Sequence, residues 1–137
     1  SGDYFNSDNL IQDILFSDAE TNYFSKDFKI ELNINRVRLD NEFQLNNLEG
    51  NLYFKNKKLF DGNLIGYFPD RKKMTFTVKT NNQNKITTFF IDHAKPIVKR
   101  YKFIKGFNEG ILDFYSSKIG NKSNSTLNLI FSSGCLK

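Results

Sequence analysis

From Phe28 the chain alternates with a period of two. Phe28, Ile30, Leu32 and Ile34 take every second place, with Lys29, Glu31, Asn33 and Asn35 between them. Successive side chains of a strand point to opposite sides, so this spacing predicts a strand with one apolar and one wetted face. Arg36-Val37-Arg38-Leu39 shifts the phase by one, as a bulge or the end of the strand would. The same period returns in Leu52 and Phe54, in Met74, Phe76 and Val78, in Leu112 and Phe114, and in Leu127, Leu129 and Phe131. Turn-forming clusters separate these runs. Asn46-Asn47 with Glu49-Gly50 predicts a bend after Phe43 and Leu45, and Lys55 to Lys58, Asp70 to Lys73 and Asn81 to Asn84 predict hairpin tips. Ile119 to Ser125 reads as a Gly/Asn/Ser/Lys loop, and Gly62, Gly66 and Pro69 are expected to keep the strand around Leu64 and Phe68 short. Strand after strand, with turns at intervals of roughly 8 to 12 residues, predicts a mostly β chain folded as a curved, groove-like antiparallel meander.

Two stretches depart from the period. Thr87 to Ile91 is β-branched and aromatic, and Asp92 then offers an N-cap for a corner helix near residues 92–102, with Pro96 in its first turn. Gly106 and Gly110 punctuate the chain before Ile111 to Tyr115 resumes as a strand. Near the start, Ser7-Asp8-Asn9 offers caps for a short helix with Leu10, Ile11, Ile14 and Leu15 on one face, with a strand as the alternative. The expected organisation is one domain over 1–137, with a helical or irregular lead-in over 1–26 and the sheet over 27–137.

The order Ile91-Asp92-His93-Ala94, a short helix, a glycine turn ending in Gly110, then Leu112 and Phe114 alternating along a strand, resembles the C-terminal region of AsmA-like bacterial envelope proteins. The alternating strands from Phe28 to Phe76 precede it in the family's order, so the resemblance spans Phe28 to Phe131. It implies a non-enzymatic part of a β-sheet groove in the Gram-negative periplasm, anchored to the inner membrane by a segment outside this sequence. Phospholipid, or another acyl-chain lipid, would pass along it between the inner and outer membranes, with outer-membrane proteins as further candidate partners. The implied lining comprises Phe28, Ile30, Leu32 and Ile34, then Leu52 and Phe54, Phe76 and Val78, Leu112 and Phe114, and Leu127 and Leu129. At ~0.8 kcal/mol per buried CH₂, wetting a chain of about sixteen carbons costs roughly 13 kcal/mol, so such a conduit has to be continuous and apolar. The same alternation serves a closed dry core, and periodicity does not separate the two. A different class fits as well: an assembly factor or interaction module for outer-membrane proteins, engaging a client strand at an exposed sheet edge.

Composition changes this picture little. A length of 137 residues suits one domain, and the net charge of +5 with a pI near 9.3 permits attraction to anionic headgroups or to nucleic acid. Arg71-Lys72-Lys73, and Lys99 to Lys105 with Tyr101 and Phe103 interleaved, give a weaker nucleic-acid-binding alternative. A solvated hairpin tip and lysine stems packed on the sheet account for both runs, so no nucleic-acid partner is expected. His93 is the single histidine and stands at a helix start, which suits a capping or surface role. Asp92, Glu109 and Asp113 follow no catalytic spacing, and Gly106 and Gly110 lack the lysine and hydroxyl of a phosphate loop. No catalytic residue, metal or cofactor is expected. Cys135 is alone and forms no internal disulfide. No run approaches the ~18 apolar residues of a membrane span. Ser1-Gly2 reads as an expression-vector remnant, which points to a piece of a larger protein.

Overall fold

The computed structural model describes residues 5–6, 27–39, 41–101 and 109–131. Among the described residues, eight strands form one open sheet whose spatial order is the chain order. They are β1 (Phe5–Asn6), β2 (Phe28–Arg38), β3 (Gln44–Lys55), β4 (Lys58–Tyr67), β5 (Lys73–Asn81), β6 (Asn84–Ile91), β7 (Gly110–Ile119) and β8 (Lys122–Phe131). One helix, α1 (Lys95–Tyr101), lies between β6 and β7. From β2 to β8 every pairing is antiparallel, whereas β1 runs parallel to β2 at Val37 and Arg38. The mostly β, antiparallel meander expected from the sequence is therefore the observed architecture. The helix expected at Leu10 to Phe16 lies outside the described residues, as do Gly106 and Cys135.

Register explains why these residues form these strands. Phe28 faces Phe54 and Ile30 faces Leu52, and the rings of the first pair stack with centroids 4.7 Å apart. Leu32, Gly50, Leu64, Phe76, Phe89, Phe114 and Leu127 then form one continuous cross-strand row from β2 to β8. A second row runs through Met74, Ile91, Leu112 and Leu129. All of these side chains stand on the same side of the sheet, because directly paired residues share a face.

Four details differ from the sequence expectation. Phe43–Leu45 and Leu52–Phe54 are not separate elements around a bend; β3 is one strand of 12 residues, and Asn47 (φ 49°) and Gly50 (φ 146°) absorb the irregularity within it. The phase change falls inside the β2–β3 ladder, where burial passes from Leu48 to Leu45 on one strand and from Ile34 to Val37 on the other. Gly62 and Gly66 do not shorten β4, which is ten residues long. They make room instead: a Cβ on Gly62 would come within 2.8 Å of Leu52 Cδ2, and one on Gly66 within 3.4 Å of Leu48 Cδ1.

Ile119 to Ser125 is a hairpin and not a loop. A two-residue turn, Gly120–Asn121, joins β7 to β8, and the ladder runs without a break from Gly110↔Phe131 to Ile119↔Lys122. Serine and asparagine join it because a ladder is built from backbone groups and tolerates polar side chains where both faces are wet. The fourth difference is the corner. α1 begins at Lys95, with the Val98 amide donating to the Ala94 carbonyl at 2.9 Å, so Ala94 and not Asp92 occupies the cap position. Asp92 clasps β5 instead: its carboxylate accepts the Lys73 amide at 3.3 Å, and its own amide donates to the Lys73 carbonyl at 3.0 Å. Pro96 sits in the first turn as expected, where the missing N–H is no loss. Ala94, Ile97 and Val98 are buried in the same core as the apolar sheet face, so α1 covers the end of the sheet where β5 starts and β6 ends.

Candidate functional site

The apolar sheet face is the surface on which the lining residues singled out in the sequence converge. It brings together all twelve residues expected to share one side, and burial divides them. Leu52, Phe54, Phe76, Val78 and Leu112 belong to the buried core, with Leu52 at 0% and Phe76 at 2% exposure. Phe28, Ile30, Leu32 and Ile34 on β2, Phe114 on β7 and Leu129 on β8 are half-buried and pack against that core. Leu127 is 46% exposed. The face is thus sealed along its middle strands and at Leu112, and accessible along its two flanks, on β2 from Phe28 to Ile34 and on β7–β8 at Phe114, Leu127 and Leu129.

The face also changes chemistry along the strand direction. Toward the α1 end its cross-strand rows are apolar. Toward the opposite end of β5–β8, the row continuing from Val78 is Thr87, Ser116 and Ser125, and the Ser125 hydroxyl donates to that of Ser116 at 3.0 Å. One row further, Lys85 stands directly opposite Lys118, both half-buried and on the same side as the apolar rows. Alternation was legible in the sequence only where the inward residues are apolar. Thr87, Lys85, Ser116 and Lys118 carry the same parity outward from Phe89 and Phe114, and counting by twos past the last apolar residue would have found them.

The other face is polar. Lys29 and Glu31 pair at 2.8 Å, which holds the Glu31 carboxyl below its usual range through that hydrogen bond and the lysine charge. An open depression of about 520 Å³ lies on this side, lined by Lys29, Asn51, Tyr53, Asp61, Asn63 and Lys79 among others. None of these except Lys29 drew notice in the sequence, since each is simply the wetted neighbour of an apolar position.

The remaining sequence candidates are dispersed. His93 is not a free surface residue: its ring packs against Phe43 and Phe68 with centroids 5.6 and 5.2 Å away, and Nδ1 lies 3.4 Å from the Asp70 carboxylate. Lys72 bridges Asp70 at 3.6 Å and Glu109 at 3.4 Å, so one basic run is tied into an ion network at the corner. Burial of the Asp70 carboxyl opposes ionisation, but the Lys72 amide, His93 and the Lys72 ammonium together outweigh it and hold Asp70 below its ordinary value of 3.8. Asp113 is exposed on the polar face, opposite Phe90 and Asn128. Asp92, Glu109 and Asp113 each face different partners, and among the described residues no group of three or more His, Cys, Asp or Glu is placed to hold a metal ion. No helix among the described residues is long and apolar enough to cross a membrane. Comparison with protein-family models, curated proteins and solved structures found no match.

Proposed function

We infer that this chain is a non-enzymatic, AsmA-like envelope domain that shelters the acyl chains of a phospholipid on the apolar side of its sheet. The observation that carries the proposal is the polarity of that side: apolar rows near α1 give way to hydroxyls and two opposed lysines along β5–β8. An amphipathic surface of this order matches an amphipathic ligand. Acyl chains would lie against the half-buried flanks, on Ile30 and Leu32 or on Phe114, Leu127 and Leu129, where burial in protein is incomplete. The headgroup would turn toward Thr87, Ser116 and Ser125, with Lys85 and Lys118 supplying positive charge near an anionic phosphate. Leu52, Phe76 and Val78 act differently, as the packed support of the groove.

Photo-crosslinking tests this directly. With a phospholipid carrying a photoreactive group in its acyl chain, label is expected at Ile30, Leu127 and Leu129 and not at Lys29 or Asn128 on the other face. Equal labelling of both faces, or none above a detergent control, would sink the proposal.

A further inference from the structure

We propose that two copies of this chain pair through β8, edge to edge and antiparallel, about a two-fold axis at Asn128. Among the described residues, β8 is the last strand of the sheet. Because the turn at Gly120–Asn121 has two residues, Ile119 and Lys122 form a doubly hydrogen-bonded pair, and such pairs recur at every second position. Asn124, Thr126, Asn128 and Ile130 therefore spend their N–H and C=O groups on β7. Ser123, Ser125, Leu127 and Leu129 direct theirs to the edge.

Edge strands that stay single are guarded by charge, proline or a bulge. After Lys122, β8 has no charged residue and no proline, and its register with β7 is unbroken. It also carries exposed apolar side chains on both of its faces, Leu127 at 46% and Ile130 at 57%.

A second copy is the occupant that this strand fits. With the axis at Asn128, each Leu127 lies opposite the second copy's Leu129, and each Thr126 opposite the second copy's Ile130, on matching faces. The edge-directed groups at Leu127 and Leu129 meet edge-directed groups. Lys122 falls outside the overlap, so no like charges are opposed. Pairing head to tail with β2 would instead set this uncharged edge against Lys29 and Glu31, and would propagate into an open filament where the symmetric arrangement closes. The pairing joins two apolar faces side by side and does not depend on what those faces bind.

The test is a cysteine scan with a backbone control. In a Cys135→Ser background, Thr126→Cys, Leu127→Cys, Asn128→Cys, Leu129→Cys and Ile130→Cys are each oxidised mildly and the disulfide dimer is measured. Asn128→Cys is expected to give several-fold more dimer than the others, because Asn128 would face its counterpart in a non-hydrogen-bonded pair with Cα atoms about 4.5 Å apart, suited to a disulfide. Leu127→Pro removes an edge-directed N–H and leaves the β7 ladder intact, so it should shift sedimentation of the cysteine-free chain to monomer without a large loss of melting temperature. A maximum at another position overturns the axis. A chain that stays monomeric at several hundred micromolar, or whose β8 binds an unrelated strand peptide without self-association, overturns the dimer.

Discussion

Gly50 and Gly120 both hold a positive φ, of 146° and 57°, yet their surroundings are opposite. A Cβ on Gly50 would stand 1.9 Å from the Asn63 carbonyl oxygen, whereas one on Gly120 meets nothing within 4 Å. Gly120→Ala is therefore expected to cost only its backbone strain, about 1 kcal/mol. Gly50→Ala must also push β4 away and should cost more than about 3 kcal/mol. Urea denaturation of the two variants separates these effects. The sequence placed Gly50 in a bend and Gly120 in a loop running to Ser125; the two-residue turn at Gly120 and the close approach of β4 to Gly50 both arise only when the strands pair. Asp70 carries a second residue-scale expectation. A carboxyl held below 3.8 in the folded chain contributes stability above that pH, and the contribution is lost as pH falls through 3.8 and below. Asp70→Asn should thus flatten the acid limb of a melting-temperature profile below about pH 4 and leave its slope near pH 7 unchanged.

At the scale of the strand, one periodic pattern serves two different jobs. Phe76 on β5 and Leu127 on β8 occupy the same cross-strand row, but Phe76 is 2% exposed and Leu127 is 46% exposed. An open groove along the whole apolar face, as the family resemblance implies, would let a charge on any inward position leave the fold intact. With the middle strands sealed, Phe76→Asp should instead cost more than about 4 kcal/mol and abolish cooperative melting, since a buried carboxylate there lacks a partner. Leu127→Asp should move the melting midpoint by less than about 1 kcal/mol equivalent. Circular dichroism melts of the pair check this. Strand parity was legible because Phe28 to Ile34 and Leu127 to Phe131 alternate cleanly. The first half of β8 was not, because Ser123, Asn124 and Ser125 have turn-like composition and no apolar neighbour to betray their period. The cap at α1 was misassigned for a related reason: Asp92 is a good cap by type, but the Lys73 amide of a strand 19 residues earlier claims its carboxylate.

For the whole molecule, strand order was readable because every strand from β2 onward pairs with its neighbours in the chain, so no long-range choice had to be made. Burial was not readable, since whether an apolar face is sealed depends on what packs over it. Hydrogen exchange should report the resulting gradient. In dilute solution the amides of Ser123, Ser125, Leu127 and Leu129 should exchange orders of magnitude faster than those of Asn124, Thr126, Asn128 and Ile130, while β4 to β6 are protected throughout. A uniformly protected β8 at low concentration would contradict the open edge. The meander carries one more consequence, for how such a chain can vary in size. Each additional hairpin at an edge widens a sheet by about 10 Å, two strand spacings. A turn of two residues, like Gly120–Asn121, preserves the in-and-out parity of the side chains. Width is then a variable that descent can change in pairs of strands, lengthening or trimming the apolar side without re-registering any strand already in place.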